Sequence, residues 1–214
     1  MSVSSRHGQP AAGRRAYCIA KRLLDVSVAL VGLVVFSWLF VLLAVLVKAT
    51  SRGPAFFRQQ RAGLGGKAFA VWKFRSMRAD AELERRELSR RGEMDGPVFK
   101  MRADPRITRM GRFLRRSSLD ELPQLVNVLL GQMSLVGPRP LPLGEAQHLP
   151  AEFRRRHAVP PGLTGLWQVR GRNSLPYAEM MRLDLEYVDR CSLGLDARIL
   201  LATPPAVISG RGAF

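Results

Sequence analysis

The chain holds 214 residues, enough for one packed domain or for one domain with a membrane element. Its hydrophobic content of 47% is ordinary, but 34 Lys and Arg face 17 Asp and Glu, a formal charge of +17. That excess requires a polyanionic partner, whether nucleic acid, anionic lipid headgroups or phosphorylated small molecules. Cys18 and Cys191 form no C-x-x-C pair, and His7, His148 and His157 lack ligand spacing, which argues against a disulfide framework or a zinc site.

Residues 1–20 form a basic tail. Residues 23–47 are an apolar run whose one charged member is Asp25, near its start. As a helix this run is ~37 Å long at 1.5 Å per residue, against ~30 Å of bilayer hydrocarbon. A buried core helix rarely has so few polar groups over this length. A cleaved signal peptide would have an apolar region of only ~7–15 residues and a small-residue cleavage site. Here Lys48-Ala-Thr-Ser-Arg52 is a poor site, so an uncleaved anchor fits better.

Arg6, Arg14, Arg15, Lys21 and Arg22 precede the run; Lys48, Arg52, Arg58, Arg61 and Lys67 follow it, with no acid in either flank. Positive flanks prefer the cytoplasmic side. A single span breaks that rule at one end and a re-entrant helix breaks it at neither, so the re-entrant form is preferred. Gly32 and Ser37 are the candidates for its bend.

From residue 51 the chain is polar and basic. Ser51-Arg-Gly-Pro54 reads as a turn out of the membrane. Residues 68–74 alternate loosely as a strand. Residues 78–91 predict an exposed or interfacial helix, and residues 93–104 a loop around Gly96-Pro97. A helix is expected over residues 122–130, stopping at Gly131. Gly137-Pro-Arg-Pro140 is a rigid loop. Further helices are expected over residues 152–157 and 177–187. Gly63-Leu-Gly-Gly-Lys67 is not a phosphate loop, because Arg61 and Ala68 stand where that motif needs Gly and Ser or Thr; a glycine turn fits. Lys73-Phe-Arg75 suits phosphate binding or plain surface charge equally.

Asp120-Glu121 lies between Arg112, Arg115 and Arg116 upstream and Arg139 downstream. Carboxylates near arginines stay ionised. Such an Asp can attack phosphorus or hold Mg²⁺ with substrate phosphates, and arginine forks bind phosphate oxygens. The same residues also match a capping box, Ser118-Leu-Asp-Glu121, followed by Pro123. Both readings fit the spacing.

Nine segments then occur in one order: Lys21-Arg-Leu-Leu-Asp25, Gly53-Pro-Ala-Phe-Phe-Arg58-Gln, Lys73-Phe-Arg-Ser-Met77, Asp104-Pro-Arg-Ile-Thr108, Ser118-Leu-Asp-Glu-Leu-Pro-Gln124, Met133-Ser-Leu-Val-Gly-Pro-Arg-Pro140, Pro161-Gly-Leu-Thr-Gly165, Trp167-Gln-Val-Arg-Gly-Arg-Asn173 and Asp184-Leu-Glu-Tyr187. In this the chain resembles the bacterial sugar transferases, the monotopic phosphoglycosyl transferases that make polyprenyl diphosphate sugars. The resemblance implies an α/β, mostly helical fold with little β-structure. It comprises the basic tail (1–20), a re-entrant membrane helix (21–50) and a compact cytoplasmic catalytic domain (51–214) with interfacial amphipathic helices, placed at a bacterial cytoplasmic membrane. It implies Asp120 as nucleophile on a UDP-sugar, releasing UMP, and a polyprenyl phosphate as acceptor. Glu121 is its dyad partner, with Mg²⁺ held by Asp120 and Glu121. Arg115 and Arg139 would bind substrate phosphates, helped by Lys73 and Arg75. The region from Gly165 to Asn173 is a candidate for uridine. Gly-Pro-Ala-Phe and the C-terminal Gly-Arg-Gly-Ala-Phe tilt the donor toward UDP-glucose or UDP-galactose. Anionic lipids are further partners; the oligomeric state, monomer or homo-oligomer, stays open. The family's mid-helix Ser-Pro is here Ser37-Trp38.

Two readings compete: a non-catalytic membrane scaffold, and a membrane-anchored nucleic-acid-binding protein. The latter would carry a recognition motif or aromatics among its basic residues, whereas aromatics are 7% and no motif is present.

Overall fold

The computed structural model describes residues 11–78, 81, 104–210 and 212. Most of the expected helix over 78–91, the loop over 93–104 and much of the C-terminal Gly-Arg-Gly-Ala-Phe lie outside the described residues, as does residues 1–10 of the basic tail.

The described elements run α1 (Ala11–Val35), α2 (Ser37–Thr50), β1 (Phe56–Ala62), β2 (Ala68–Phe74), α3 (Arg109–Arg116), a 3-10 turn (Leu119–Glu121), α4 (Gln124–Leu129), β3 (Ser134–Val136), α5 (Leu143–Gln147), a 3-10 segment (Ala151–Ala158), β4 (Gly162–Thr164), α6 (Leu166–Arg170), α7 (Tyr177–Arg190) and α8 (Leu193–Ile208). The chain is mostly helical with two small sheets, the antiparallel hairpin β1–β2 and the parallel pair β3–β4. The expected strand over 68–74 forms, with Ala62 opposite Ala68 and Phe56 opposite Phe74. Its turn uses Gly65 and Gly66 at φ of 64° and 77°, the left-handed region that glycine enters without steric cost.

Among the described residues no single helix is long and apolar enough to cross a membrane, but α1 and α2 together are, bent by 62°. The bend falls at Phe36, whose N–H reaches Gly32 O and whose carbonyl accepts from Phe40 N–H, both at 3.0 Å. The bend thus adjoins Ser37, one of the two sequence candidates, and lies four residues beyond Gly32, the other. The Ser37 hydroxyl bonds to no described residue. Gly32 instead allows close packing, since a Cβ there would lie 3.2 Å from Leu125 Cδ1 on α4. The bend is held by packing on either side. Ala29 joins the main core with Val71, Val128, Met133, Met181 and Tyr187. Leu43 and Val47 join a second cluster with Phe74 and Leu114.

The segment Lys21-Arg-Leu-Leu-Asp25 fastens α1 to this body. Lys21 Nζ and Tyr17 OH reach Asp196 Oδ2 at 2.8 and 3.1 Å. Arg22 donates to Val128 O and Leu129 O at 2.6 and 2.8 Å, binding the C-terminal carbonyls of α4, of which Val128 O also accepts from Gly131 N–H at 3.0 Å. Asp25, the lone charge of the apolar run, is buried and accepts from Leu135 N–H at 3.0 Å.

Two glycines mark close backbone approaches. A Cβ on Gly111 would fall 1.8 Å from Ser76 O, and one on Gly162 would fall 2.0 Å from Gly137 N. The first contact seats α3 against the end of β2; the second locks β4 to the loop that carries Arg139.

Candidate active site

The expected capping box does not form. Ser118 sits at φ 56° and makes no cap hydrogen bond, while Glu121 points elsewhere. Its carboxylate accepts from Lys73 Nζ at 2.7 Å, from Arg139 Nη1 at 2.9 Å and from Arg139 Nη2. Two full charges outcompete the single backbone N–H that a capping box would offer. Lys73 arrives from β2 and Arg139 from the Gly137–Pro140 loop, so Glu121 joins three parts of the chain.

Asp120 is buried, 7% exposed, and its carboxylate accepts no hydrogen bond among the described residues. Burial pushes its pKa up to about 6, the neighbouring Glu121 charge adds to this, and Lys73, Arg115 and Arg139 oppose it. Burial would raise Glu121 too, but Arg139 and Lys73 hold it well below the usual carboxylate range. The pKa values of adjacent carboxylates are thus pushed apart: one is fixed as an ion-paired anchor, and one has lone pairs that no described residue engages. For Lys73 burial prevails over the attraction of Glu121 and lowers it to about 8.

All six residues singled out from the sequence line one cavity of about 730 Å³: Lys73, Arg75, Arg115, Asp120, Glu121 and Arg139. Arg115 donates Nε to Ser76 Oγ at 2.9 Å, which leaves its two terminal nitrogens without a partner among the described residues. Arg75 lines the cavity too, but its Nη2 serves the end of α2, reaching Ser51 O at 2.7 Å and Ser51 Oγ at 2.8 Å.

Sequence reasoning did not single out Arg172. It lines the same cavity, donates Nη2 to Ser118 Oγ at 2.8 Å, and keeps a buried Nη1 without a partner among the described residues. The available signal was its place in Trp167-Gln-Val-Arg-Gly-Arg-Asn173. A buried pair, Arg156 with Asp184, was also missed. Arg156 Nε reaches Asp184 Oδ2 at 3.0 Å and its Nη2 holds Arg139 O at 2.6 Å, fixing the main chain from which Arg139 reaches Glu121. Asp104 and Arg106 close a second buried pair beside the cavity, with Nε and Nη2 bonds of 2.9 and 2.7 Å.

Among the described residues no three Asp, Glu, His or Cys side chains cluster as a metal site. Magnesium, however, is commonly held by one or two carboxylates together with substrate phosphates. The unengaged Asp120 fits that role. Glu121 fits it less well, since Lys73 and Arg139 already occupy both of its oxygens.

A buried carboxylate with no hydrogen bond from the described residues, sharing one cavity with arginines and a lysine, is an arrangement that suits an anionic ligand. The family model for bacterial sugar transferases matches residues 16–210, and the chain belongs to that family. It is 42% identical over 199 residues to the galactosyl transferase CpsE of Streptococcus agalactiae, covering 92% of this chain and 44% of that protein. It is likewise 42% identical to the exopolysaccharide production protein ExoY of Rhizobium meliloti, over 92% of this chain and 88% of the relative. The same identity holds to the UDP-glucose:undecaprenyl-phosphate glucose-1-phosphate transferase of Caulobacter vibrioides, over 94% of this chain and 74% of the relative. The chain therefore spans less than half of the first of these proteins.

Proposed function

We propose that the protein transfers a hexose-1-phosphate from a UDP-sugar to a polyprenyl phosphate at the cytoplasmic membrane, as a step of exopolysaccharide synthesis. The observation that carries the reading is Asp120: a carboxylate that accepts no hydrogen bond from the described residues, beside a Glu121 anchored by Lys73 and Arg139, in a cavity with Arg115 and Arg172. The names of the relatives, which specify UDP-glucose, galactose and undecaprenyl phosphate, support the substrate class.

Two displacements at one phosphorus account for the chemistry. An Asp120 oxygen attacks the sugar-bearing phosphorus of the donor; its bond to the bridging oxygen breaks, and UMP leaves with that electron pair. Asp120 then carries the sugar phosphate as an acyl phosphate. An oxygen of the acceptor phosphate attacks the same phosphorus and releases the carboxylate, leaving a polyprenyl diphosphate sugar. No net proton is consumed, so the protein's contribution is positioning and charge. Arg115, whose two terminal nitrogens have no partner among the described residues, supplies a fork for the diphosphate, and Arg172 and the Glu121-held Arg139 add positive charge. Glu121 keeps Arg139 and Lys73 oriented and charged. Mg²⁺ held by Asp120 and the diphosphate would neutralise charge on the departing UMP.

We also read α1 and α2 as re-entrant. Both ends of the bent pair are fastened to the same body, through Lys21, Arg22 and Asp25 on one side and through the Ser51 bonds to Arg75 on the other. The turn between them exposes Val34, Val35, Phe36 and Trp38. Bilayer hydrocarbon covers such a surface at little cost.

The test is UMP release by the purified protein with Mg²⁺ and undecaprenyl phosphate over a panel of UDP-sugars, beside Asp120→Asn. Release with one sugar, abolished in the variant, establishes class and donor. Absence of release from folded protein with every sugar overturns the reading in favour of a scaffold.

A further inference from the structure

Two glycines follow α8, and they stand in different surroundings. Ser209 N–H reaches Pro205 O at 2.9 Å and Gly210 N–H reaches Val207 O at 3.1 Å, which closes the helix. Gly210 and Gly212 then sit at φ of 61° and 65°, the left-handed region in which a side chain is strained. A Cβ on Gly210 would meet nothing within 4 Å. A Cβ on Gly212 would lie 2.9 Å from Asn173 N, 3.0 Å from Gly171 O and 3.1 Å from Arg172 Cβ. Gly210 is therefore required by its turn alone, and Gly212 also by a close approach. The atoms it meets belong to three consecutive residues, and two of them are main chain. No side chain can swing aside to relieve that contact.

The turn that Gly212 covers is the one that brings Arg172 to the cavity. Arg172 itself stands at φ 53°, a conformation that a residue with a side chain keeps only where its surroundings impose it. The turn is closed locally by Ser174 N–H to Gly171 O at 3.1 Å and by Leu175 N–H to Arg172 O at 3.3 Å. Arg172 is held at both ends: its guanidinium donates to Ser118 Oγ, and its main chain is packed against Gly212. The helix that leads to Gly212 is itself fixed to the site. Leu200, Thr203 and Val207 of α8 line the same cavity, and Thr203 Oγ1 shares a hydrogen bond of 2.9 Å with Thr164 Oγ1 on β4.

We propose that Gly212 is a positioning residue: packed without a side chain on the turn 171–173, it holds Arg172 where its charge meets the diphosphate of the donor. Gly212 touches no reacting atom. A side chain there pushes on the main chain of the turn, Arg172 leaves its left-handed geometry, and the guanidinium is drawn away from the cavity. The word donor rests on the transferase reading above; the coupling of Gly212 to an anion in the cavity does not.

The test is a double-mutant cycle on the full chain in phosphatidylcholine nanodiscs, with inorganic pyrophosphate as the probe and calorimetric affinity as the readout. Arg172→Gln is expected to weaken binding about tenfold, the scale of a lost charge-assisted pair, and Gly212→Ala about threefold or more. In the Arg172→Gln background, Gly212→Ala should cost less than about 1.5-fold further, because a residue that acts through another loses its effect once that other is gone. Gly210→Ala meets the same left-handed strain without the contact and should stay within about twofold of wild type. With a UDP-sugar, Gly212→Ala is expected to raise KM and leave kcat within about twofold. Independent losses in the double variant would reduce Gly212 to a packing residue. Equal weakening by the two glycine variants would assign the effect to strain after α8. Wild-type affinity in Gly212→Ala, or no pyrophosphate binding by the wild type, would also overturn the proposal. A wild type that shows this cycle yet releases no UMP from any UDP-sugar would sink the transferase reading and leave the role of Gly212 standing.

Discussion

Ser118 Oγ accepts a hydrogen bond of 2.8 Å from Arg172 Nη2, and these two are the non-glycine residues at positive φ among the described residues, at 56° and 53°. Each such conformation costs on the order of 1–3 kcal/mol and persists only where the surroundings impose it. Here the strain lies two residues before Asp120, and it turns the Ser118 hydroxyl away from the helix start and toward the cavity arginine.

Replacing Ser118 separates strain from hydrogen bonding. Ser118→Ala and Ser118→Gly both lose the hydroxyl, but only Gly relaxes at φ 56°. The Gly variant is expected to be more stable than the Ala variant by about 1 kcal/mol in denaturant melts. Both should raise KM for the UDP-sugar several-fold, because Arg172 is no longer held. Equal stability of the two variants would mean that the left-handed geometry carries no strain.

Asp120 should be a liability for folding. Its native pKa of about 6 lies above the unfolded value, so the folded state holds the proton more tightly between them. Stability therefore falls as pH rises from about 4 to about 6, and the full cost is present at neutral pH. Asp120→Asn removes that cost. It is expected to stabilise the fold by about 1–3 kcal/mol at pH 7.5 while abolishing UMP release, with the gain vanishing near pH 4. A destabilised Asn variant at neutral pH would mean that Asp120 is structurally satisfied.

Turnover should follow a bell between the two shifted groups. The acid limb near pH 6 reports protonation of Asp120, and the alkaline limb near pH 8 reports loss of charge from Lys73. The limbs belong to the coupled cluster rather than to isolated residues. Single-turnover UMP release without acceptor is the assay, since a lipid phosphate itself titrates near pH 6. Lys73→Arg is expected to remove the alkaline limb and keep the acid one; retention of both limbs would assign the alkaline step to another group.

Local rules placed β2, the glycine turn before it and the helix at 177, because each depends on residues close in sequence. The same rules failed where distant charges intervened. Ser118-Leu-Asp-Glu121 has the spacing of a capping box, but Lys73 and Arg139, far away in the chain, hold Glu121. Strand β1 was hidden by Arg58-Gln-Gln-Arg61, a polar stretch that becomes a strand by pairing with β2, where Arg58 stacks 3.7 Å from the Trp72 ring centre. Helix α8 contains Pro204 and Pro205, which argue locally against a helix; packing of Ile199 in the core and the Asp196 bonds to Lys21 and Tyr187 sustain it. The six residues that share the cavity were legible as a group, whereas Arg172 and the Arg156–Asp184 pair were not, since their placement arises from contacts that only the fold creates.

The topology of α1 and α2 has a direct test. If the pair dips into the bilayer and returns, residues before and after it face one compartment; a span would place them in two. Lys21, Arg22 and Asp25 are bonded to the body that also receives Ser51, so a span would have to break one set of these contacts. Freeing Asp25 alone leaves the buried Leu135 N–H without its acceptor, a loss of about 1–3 kcal/mol. In a background of Cys18→Ser and Cys191→Ser, single cysteines at Gly13→Cys and Arg52→Cys are expected to react with an impermeant maleimide from the same side. Both should label in inverted membrane vesicles and neither in intact cells. Labelling from opposite sides would establish a span, and α1 would then have to leave the body that Asp25 fastens it to.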